Sequence, residues 1–235
     1  MICCKITNTI AVMAWAALFC ANSQGQLPID NATAIRNIDA AVKARIEHLA
    51  GYTDTEVYKV FRGEDETHPA AEMVVKTTYR PESGKHYQVL STKGSSILYK
   101  FLLRPLLQTE TDINNPAKVW DSLMVSANYD MQLQPGGPVM KDGRECWALT
   151  VVPRRKAPNL IQGTLWVDAT DFTIVRIEGV TSKSPSFWAS PAHVMRKYVR
   201  IDGFPEATHA SAESDSFFGK AVVTIDYEGY QIQSR

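Results

Sequence analysis

GRECWALTVVPRRKAPNLIQGTLWVDATDFTIVRIEG, residues 143 to 179, alternates apolar and polar side chains in three separate runs. Cys146, Ala148 and Thr150 alternate with Trp147, Leu149 and Val151; Leu165 and Val167 alternate with Trp166 and Asp168; Phe172, Ile174, Val175 and Ile177 follow. Period-two alternation of β-branched and aromatic residues is the pattern of a half-buried strand, so the stretch predicts three neighbouring antiparallel strands. Asp168-Ala169-Thr170-Asp171 is a short polar connection that closes a hairpin between the second and third, and Pro153 and Pro158 bracket a basic loop after the first. A sheet with Trp147 and Trp166 on its strands carries a large apolar surface that something must cover.

Outward from that stretch, the chain reads as one globular domain over residues 26–235, preceded by a leader over 1–25. Lys5 is followed by an uncharged, largely apolar run from Ile10 to Ala21, too short to span a bilayer, then by small and polar residues. This predicts a secretory signal peptide cut after Ser23 or Gly25, and a secreted, periplasmic mature protein. Cys3, Cys4 and Cys20 fall in the leader, which leaves Cys146 alone and forbids an internal disulfide. Phe19 directly before Cys20 is a poor fit to a lipoprotein anchor, which wants a small residue there. Cys146, inside a strand beside Trp147, reads as a small buried thiol. The 25 basic and 25 acidic residues balance, and a surface for nucleic acid needs a basic excess.

After the leader, Asp30, Asn31 and Thr33 offer caps for a helix carrying Ile35, Ile38, Val42, Ile46 and Leu49 on one face and ending at Gly51. Strands are predicted over Thr55–Phe61, Glu72–Tyr79 and His86–Leu90, with an acidic loop at Glu64, Asp65 and Glu66 that lacks the ligand spacing of a calcium site. From Ser95 the period lengthens. Ile97, Leu98, Phe101, Leu102, Leu106 and Leu107 form a helical stripe that Pro105 kinks or ends, and Asn115-Pro116 opens a second short helix containing Val119, Trp120, Leu123 and Met124. Strands resume over Asn128–Leu133 and Val194–Ile201, a turn falls at Gly203-Phe204-Pro205, and a last strand runs from Val222 through Tyr227 to Ile232. About ten strands with two or three helices, and no strand-helix alternation, predict an antiparallel α+β fold: one long sheet curled into an open half-barrel with the helices as lid or plug.

Asn128-Tyr129-Asp130, Gly143-Arg144-Glu145-Cys146-Trp147, Pro153-Arg154-Arg155-Lys156, Gly163 with Trp166-Val167-Asp168, Val175-Arg176-Ile177-Glu178-Gly179, Pro185-Ser186-Phe187-Trp188 and Ile225-Asp226-Tyr227 form an ordered series of short motifs over most of the mature chain. In that order they resemble the bacterial outer-membrane lipoprotein-sorting (LolA-like) family. The resemblance implies an open antiparallel half-barrel with helices over an apolar cavity. It departs at Gly203-Phe204-Pro205-Glu206, a turn shorter and less aromatic than the family's.

An apolar cavity can hold a lipid without any reactive side chain, since an acyl chain gains ~0.8 kcal/mol per methylene on leaving water. Candidate lining residues are Phe101, Leu102, Leu106, Trp120, Leu123, Met124, Trp147, Leu149, Trp166, Phe187 and Trp188, each of which equally suits a filled core. Arg154, Arg155 and Lys156, the one dense basic run, are candidates for a headgroup or partner contact, with a solvated loop as the alternative. No nucleophile elbow, zinc-protease motif, phosphate-binding loop or cysteine pair is present, and His48, His68, His86, His193 and His209 have no ligand spacing. The resemblance, with no such motif beside it, therefore implies a non-catalytic carrier without cofactor or metal. Its partners would be a lipid or lipoprotein acyl chain, an envelope delivery or acceptor protein, and transiently a membrane. An envelope sensor or assembly module built on the same half-barrel, or a secreted hydrolase, is the alternative.

Overall fold

A computed structural model describes residues 29–63, 65–184, 190–216 and 219–235. The predicted leader, Phe187 and Trp188 lie outside the described residues. Helix α1 (Asn31–His48) begins where Asp30 accepts the backbone N–H of Thr33 at 2.9 Å, and places basic Arg45 and His48 in its last turn, where the helix dipole favours them. It does not run to Gly51 as predicted. The chain passes straight from His48 into strand β1 (Leu49–Arg62), because Leu49 is already wanted in the sheet, opposite Ser234.

The remaining strands are β2 (Ala71–Arg80), β3 (Gly84–Gly94), β4 (Tyr129–Leu133), β5 (Val139–Lys141), β6 (Arg144–Pro153), β7 (Ile161–Asp168), β8 (Ile174–Thr181), β9 (His193–Ile201), β10 (Phe204–Ser216) and β11 (Gly219–Ser234). They form a single antiparallel sheet of eleven strands in the order β3-β2-β1-β11-β10-β9-β8-β7-β6-β4, with β5 also on β6. The sheet is not closed, since β3 and β4 stand at opposite edges. The three strands expected between residues 143 and 179 are β6, β7 and β8, and their hairpin is closed by Asp168, whose carboxylate accepts the N–H groups of Thr170 and Asp171. Two further hairpins are Asp-Gly turns with both residues at positive φ: Asp142-Gly143 between β5 and β6, and Asp202-Gly203 between β9 and β10. The second corrects the predicted turn, because Phe204 and Pro205 already belong to β10.

Between β3 and β4 lies a helical rod made of α2 (Ser96–Leu98), a π-helical turn (Tyr99–Leu103) and α3 (Arg104–Ile113). The second predicted helix, from Asn115, is a single 3-10 turn at Val119–Ser122. Asn128 explains the difference: its side-chain amide donates to the carbonyls of Trp120 and Leu123, at 2.7 and 2.9 Å, and draws that backbone out of a helical ladder.

Both helical bodies lie on the same face of the sheet and divide its core in two. Under α1, Ile38 packs with Met124, Tyr129, Trp147, Leu149, Leu165, Val167 and Ile177. Under the rod, Leu103 and Leu107 pack with Tyr58, Val60, Met73, Val75, Val223, Ile225 and Tyr227. In a flat sheet β3 and β9 would be five strand spacings, about 24 Å, apart. Yet α3, which packs on β3, brings its Glu110 within 3.6 Å of Arg196 on β9, so the sheet curls around the rod.

Candidate functional site

The rod is the element that closes the concave side over one of the two cores, and its sequence explains how. Ser95 caps it by accepting the N–H of Leu98. Leu98, Tyr99, Leu102, Leu103, Leu106 and Leu107 recur at helical spacing and face the sheet. Pro105 does not end the helix as the pattern allowed. It sits in the first turn of α3, and the preceding π-helical turn, in which Arg104 N–H donates to Tyr99 C=O, widens the coil where the proline ring would crowd the preceding carbonyls. The opposite face of the rod carries Ile97 and Phe101, 68% and 69% exposed. The π-helical turn is seated on β2 and α3 on β3, and the Glu110–Arg196 pair fastens α3 to β9 as well.

Beside the apolar floor of Tyr58, Val60, Met73 and Val75 lies a polar centre assembled from distant parts of the chain. Tyr52, Asp54, Glu56 and Tyr58 alternate along β1 and share its inner face, because side chains two apart on a strand point the same way. Glu56, 1% exposed, accepts the Tyr58 hydroxyl at 2.5 Å and the Lys85 ammonium at 3.3 Å. Lys85 lies 5.9 Å from the ring centroids of Tyr52, Tyr87 and Tyr227. Burial alone would depress the Lys85 pKa, but the Glu56 charge and the hydroxyls of Tyr52, Tyr87 and Tyr227 together outweigh it and hold Lys85 well above its usual range. Nearby, Arg45 of α1 clasps Glu206 of β10 with both Nη2–Oε distances at 2.7 Å.

Asp54 differs from its neighbours. It is 3% exposed, and neither carboxylate oxygen has a hydrogen-bond partner. The Tyr230 hydroxyl is near enough to favour the ionised form, but it donates to the Ala207 carbonyl at 2.9 Å instead. Burial, reinforced by the charge of Glu56, pushes the Asp54 carboxyl up to about 7. The sheet register places Thr77 of β2 opposite Asp54 and Tyr87 of β3 opposite Thr77, and the Thr77 and Tyr87 hydroxyls are likewise buried without partners. Three adjacent strands therefore present a row of unsatisfied oxygens next to an apolar floor. Such groups are uncommon in folded proteins and mark a place built for more than packing.

The residues predicted to line one cavity are not brought together. Met124, Trp147 and Leu149 are packed into the core under α1, with Leu123 half-buried near them, while Leu102 and Leu106 border the core under the rod. Phe101 and Trp120, the latter 56% exposed, face outward, since each sits on the solvent side of its helical turn. Trp166 points away from both helices, because it pairs with Ala148 and not with Trp147; Lys141 Nζ lies over its ring at 4.2 Å. Arg154 donates to the Ser126 carbonyl at 3.0 Å and pairs with Asp130 at 2.8 Å, and Arg155 donates to the Asp121 carbonyl. These two arginines tie their loop to residues 121–130, and only Lys156 of the three is left to solvent alone as an exposed side chain without such a tie among the described residues. Cavities of about 310 Å³ and about 350 Å³ are present, the first on the outer face by Lys59 and Asp226, the second between β3 and α3; none of the predicted lining residues borders either. The Cys146 thiol is buried, and that burial raises its pKa to about 11, which disfavours the thiolate. Among the described residues no group of three or more His, Cys, Asp or Glu side chains could hold a metal ion, and no helix is long and apolar enough to cross a membrane.

No family model matches the chain by sequence, and no curated protein does. In structure the chain is similar to a LolA superfamily protein from Nitrosomonas europaea (12% identity, TM-score 0.48, 88% of this chain and 94% of that one). It is similar also to a putative outer membrane lipoprotein-sorting protein domain from Vibrio parahaemolyticus (13% identity, TM-score 0.48, 86% and 94%). A third neighbour is a DUF1329 family protein from Desulfovibrio piger (15% identity, TM-score 0.43, 84% and 92%). The likeness is one of fold.

Proposed function

We propose that the protein is a non-catalytic carrier of the bacterial periplasm that holds a lipid, or the acyl chains of a lipoprotein, against the apolar floor of β1, β2 and β11 when the rod lifts. One observation carries this reading: the floor is covered by a separate helical element, not by side chains of the sheet itself. The rod contributes Leu98, Leu102, Leu103, Leu106 and Leu107. Leu103 and Leu107 are buried and the other three partly so; at roughly 2 kcal/mol for a fully buried leucine and about half that for the others, their cover is worth about 7 kcal/mol. An acyl chain of about fourteen methylenes gains ~11 kcal/mol in the same place. Exchange of rod for chain therefore differs by only about 4 kcal/mol before the cost of ordering the chain, a margin small enough for a carrier that must also release its cargo. The unsatisfied oxygens of Asp54, Thr77 and Tyr87, with Lys85 beside them, would receive the polar end of the cargo.

The test is native mass spectrometry of the mature protein after incubation with phospholipid and with a triacylated lipopeptide. Leu103→Ala and Leu107→Ala weaken the rod's hold on the floor, so both should raise the fraction carrying an acyl adduct. Variants that remain empty with every lipid, as the parent does, would remove the basis for a carrier.

A further inference from the structure

From Ser83 to Thr109 the chain contains no Asp or Glu, yet it holds Lys85, His86, Lys93, Lys100 and Arg104. The same stretch supplies Val89, Leu90, Ile97 and Phe101, four of the eight large apolar side chains that are exposed among the described residues. These features fall on one side of the molecule: edge strand β3 and the outer face of the rod that packs on it. A bulge at the step from Val74 to Val75 leaves Leu90 as the extra residue on β3, and on an edge strand such a residue is free to turn outward. Ile97 and Phe101 stand one helical turn apart, with Lys100 and Arg104 beside them, and Lys100 Nζ lies 5.2 Å from the Phe101 ring centroid.

Two of these cations, Lys85 and Lys93, are already paired with carboxylates, and two acids of α3 are engaged within the molecule. Glu56 holds Lys85, Glu72 holds Lys93 at 3.3 Å, Glu110 holds Arg196, and Asp112 accepts Gln108. Lys100 and Arg104 have no carboxylate partner among the described residues. Between β3 and α3 the surface dips into the cleft of about 350 Å³, bordered by His86, Arg104 and the Glu56-paired Lys85 together with the hydroxyl-bearing Tyr87, Tyr99 and Thr111, and by no carboxylate. We propose that this face docks on the anionic surface of a lipid bilayer, with Ile97 and Phe101 entering the acyl boundary and a lipid phosphate seated in the cleft between β3 and α3.

The charge pattern selects this occupant. Apolar prongs on a helical turn flanked by a Lys and an Arg that have no carboxylate partner among the described residues match the chemistry of an interface-lying segment on anionic lipid. Docking through the outer face of the rod would also bring the membrane against the element whose lifting admits cargo. That purpose rests on the carrier reading; the contact itself does not, and vesicle binding and cargo adducts are measured separately.

The full mature chain is to be sedimented with sucrose-loaded vesicles of phosphatidylcholine, alone or with roughly a third phosphatidylglycerol, at low and high salt. Binding to the anionic vesicles should exceed that to the neutral ones about tenfold or more and fall as salt rises. Each cation lost should weaken it about fivefold, so Lys100→Gln with Arg104→Gln should cost roughly 25-fold on anionic vesicles alone. Ile97→Ser with Phe101→Ser should weaken binding to both kinds, while Met140→Ser, exposed on β5, should change nothing. All five sites are exposed, and unchanged circular dichroism would verify that the variants fold. Equal binding to neutral and anionic vesicles, wild-type binding by the Lys100 and Arg104 variant, or no binding at low salt would each overturn the proposal. So would dimerisation through Ile97 and Phe101, which would give this face to a second copy. Inorganic phosphate that binds at the cleft while vesicles do not would assign the site to a free anion. An acyl adduct on a protein that ignores vesicles would sink the docking and leave the carrier standing.

Discussion

Replacing Asp54 by Asn removes a buried carboxylate that has no partner, and the consequence can be read as a function of pH. The group titrates at about 7 in the folded chain, against an ordinary value of 3.8, because burial and the Glu56 charge disfavour its ionised form. Below about pH 4 the carboxyl is protonated in both folded and unfolded chains and contributes no pH dependence. Between about pH 4 and pH 7 the unfolded chain releases the proton while the folded chain keeps it, so stability falls as pH rises. At ~1.4 kcal/mol for each pH unit, the loss reaches roughly 4 kcal/mol at and above neutral pH. Glu56, Lys85, Glu206 and Arg45 also face this centre and give both proteins a shared background, so the informative quantity is the difference between the two curves. Urea unfolding of wild type and Asp54→Asn at several values between about pH 4.5 and pH 8 measures it. Asp54→Asn should match wild type at the acid end and exceed it by up to about 4 kcal/mol at the alkaline end. Parallel curves, or an Asn variant less stable at pH 8 than at pH 5 relative to wild type, would show that Asp54 is ionised and satisfied in the fold.

Leu103→Ala should cost about 2–5 kcal/mol of stability, yet part of that loss should return as a raised melting temperature when acyl lipid is added, since the chain fills the space. Glu206→Ala leaves the Arg45 guanidinium without its buried partner and should cost roughly 3 kcal/mol or more in denaturant unfolding, much more than Glu47→Ala, whose exposed pair with Lys43 is worth little. Gly163→Ala should fail to yield soluble protein: the added Cβ would stand 2.1 Å from the Glu178 carbonyl oxygen of the facing strand, a contact that only backbone displacement relieves. Cys146 should react with iodoacetamide in the native protein only at the rate of global unfolding, since its thiol is both buried and high in pKa; fast labelling would contradict its placement.

Much of the sheet was legible because its strands alternate. Residues 143–179 gave β6, β7 and β8 and their hairpin from periodicity alone, and Val222 to Ile232 gave most of β11. β10 was not legible: Glu206 to Ser216 is built from Ala, Ser and polar residues, without the β-branched pattern. The fold explains this, since Ala210 lies in the core under the rod and Glu206 under Arg45, where bulk from the sheet has no room. The candidate site divided similarly. Leu102 and Leu106 were read from helical spacing and lie on the inner side of the rod, but Trp166 was assigned by its apolar character when its place in the alternation, one step from Leu165 and Val167, already put it on the other face. The polar centre was missed because its members come from residues 45, 54, 56, 77, 85, 87 and 206, which only the sheet register brings together. One local signal existed: along Tyr52, Asp54, Glu56, Tyr58 and Val60 the acids share a face with the core residues, and two carboxylates on a core face need a reason.

Whether a chain can replace the rod is tested most directly by light-driven crosslinking of a fatty acid that carries a diazirine near its methyl end, with the attachment sites mapped by peptide sequencing. Occupation of the floor places the label on Tyr58, Met73 or Val75 and on the inward leucines of the rod. Label confined to Ile97 and Phe101 on the outside, or found among Met124, Tyr129 and Trp147 under α1, would contradict it.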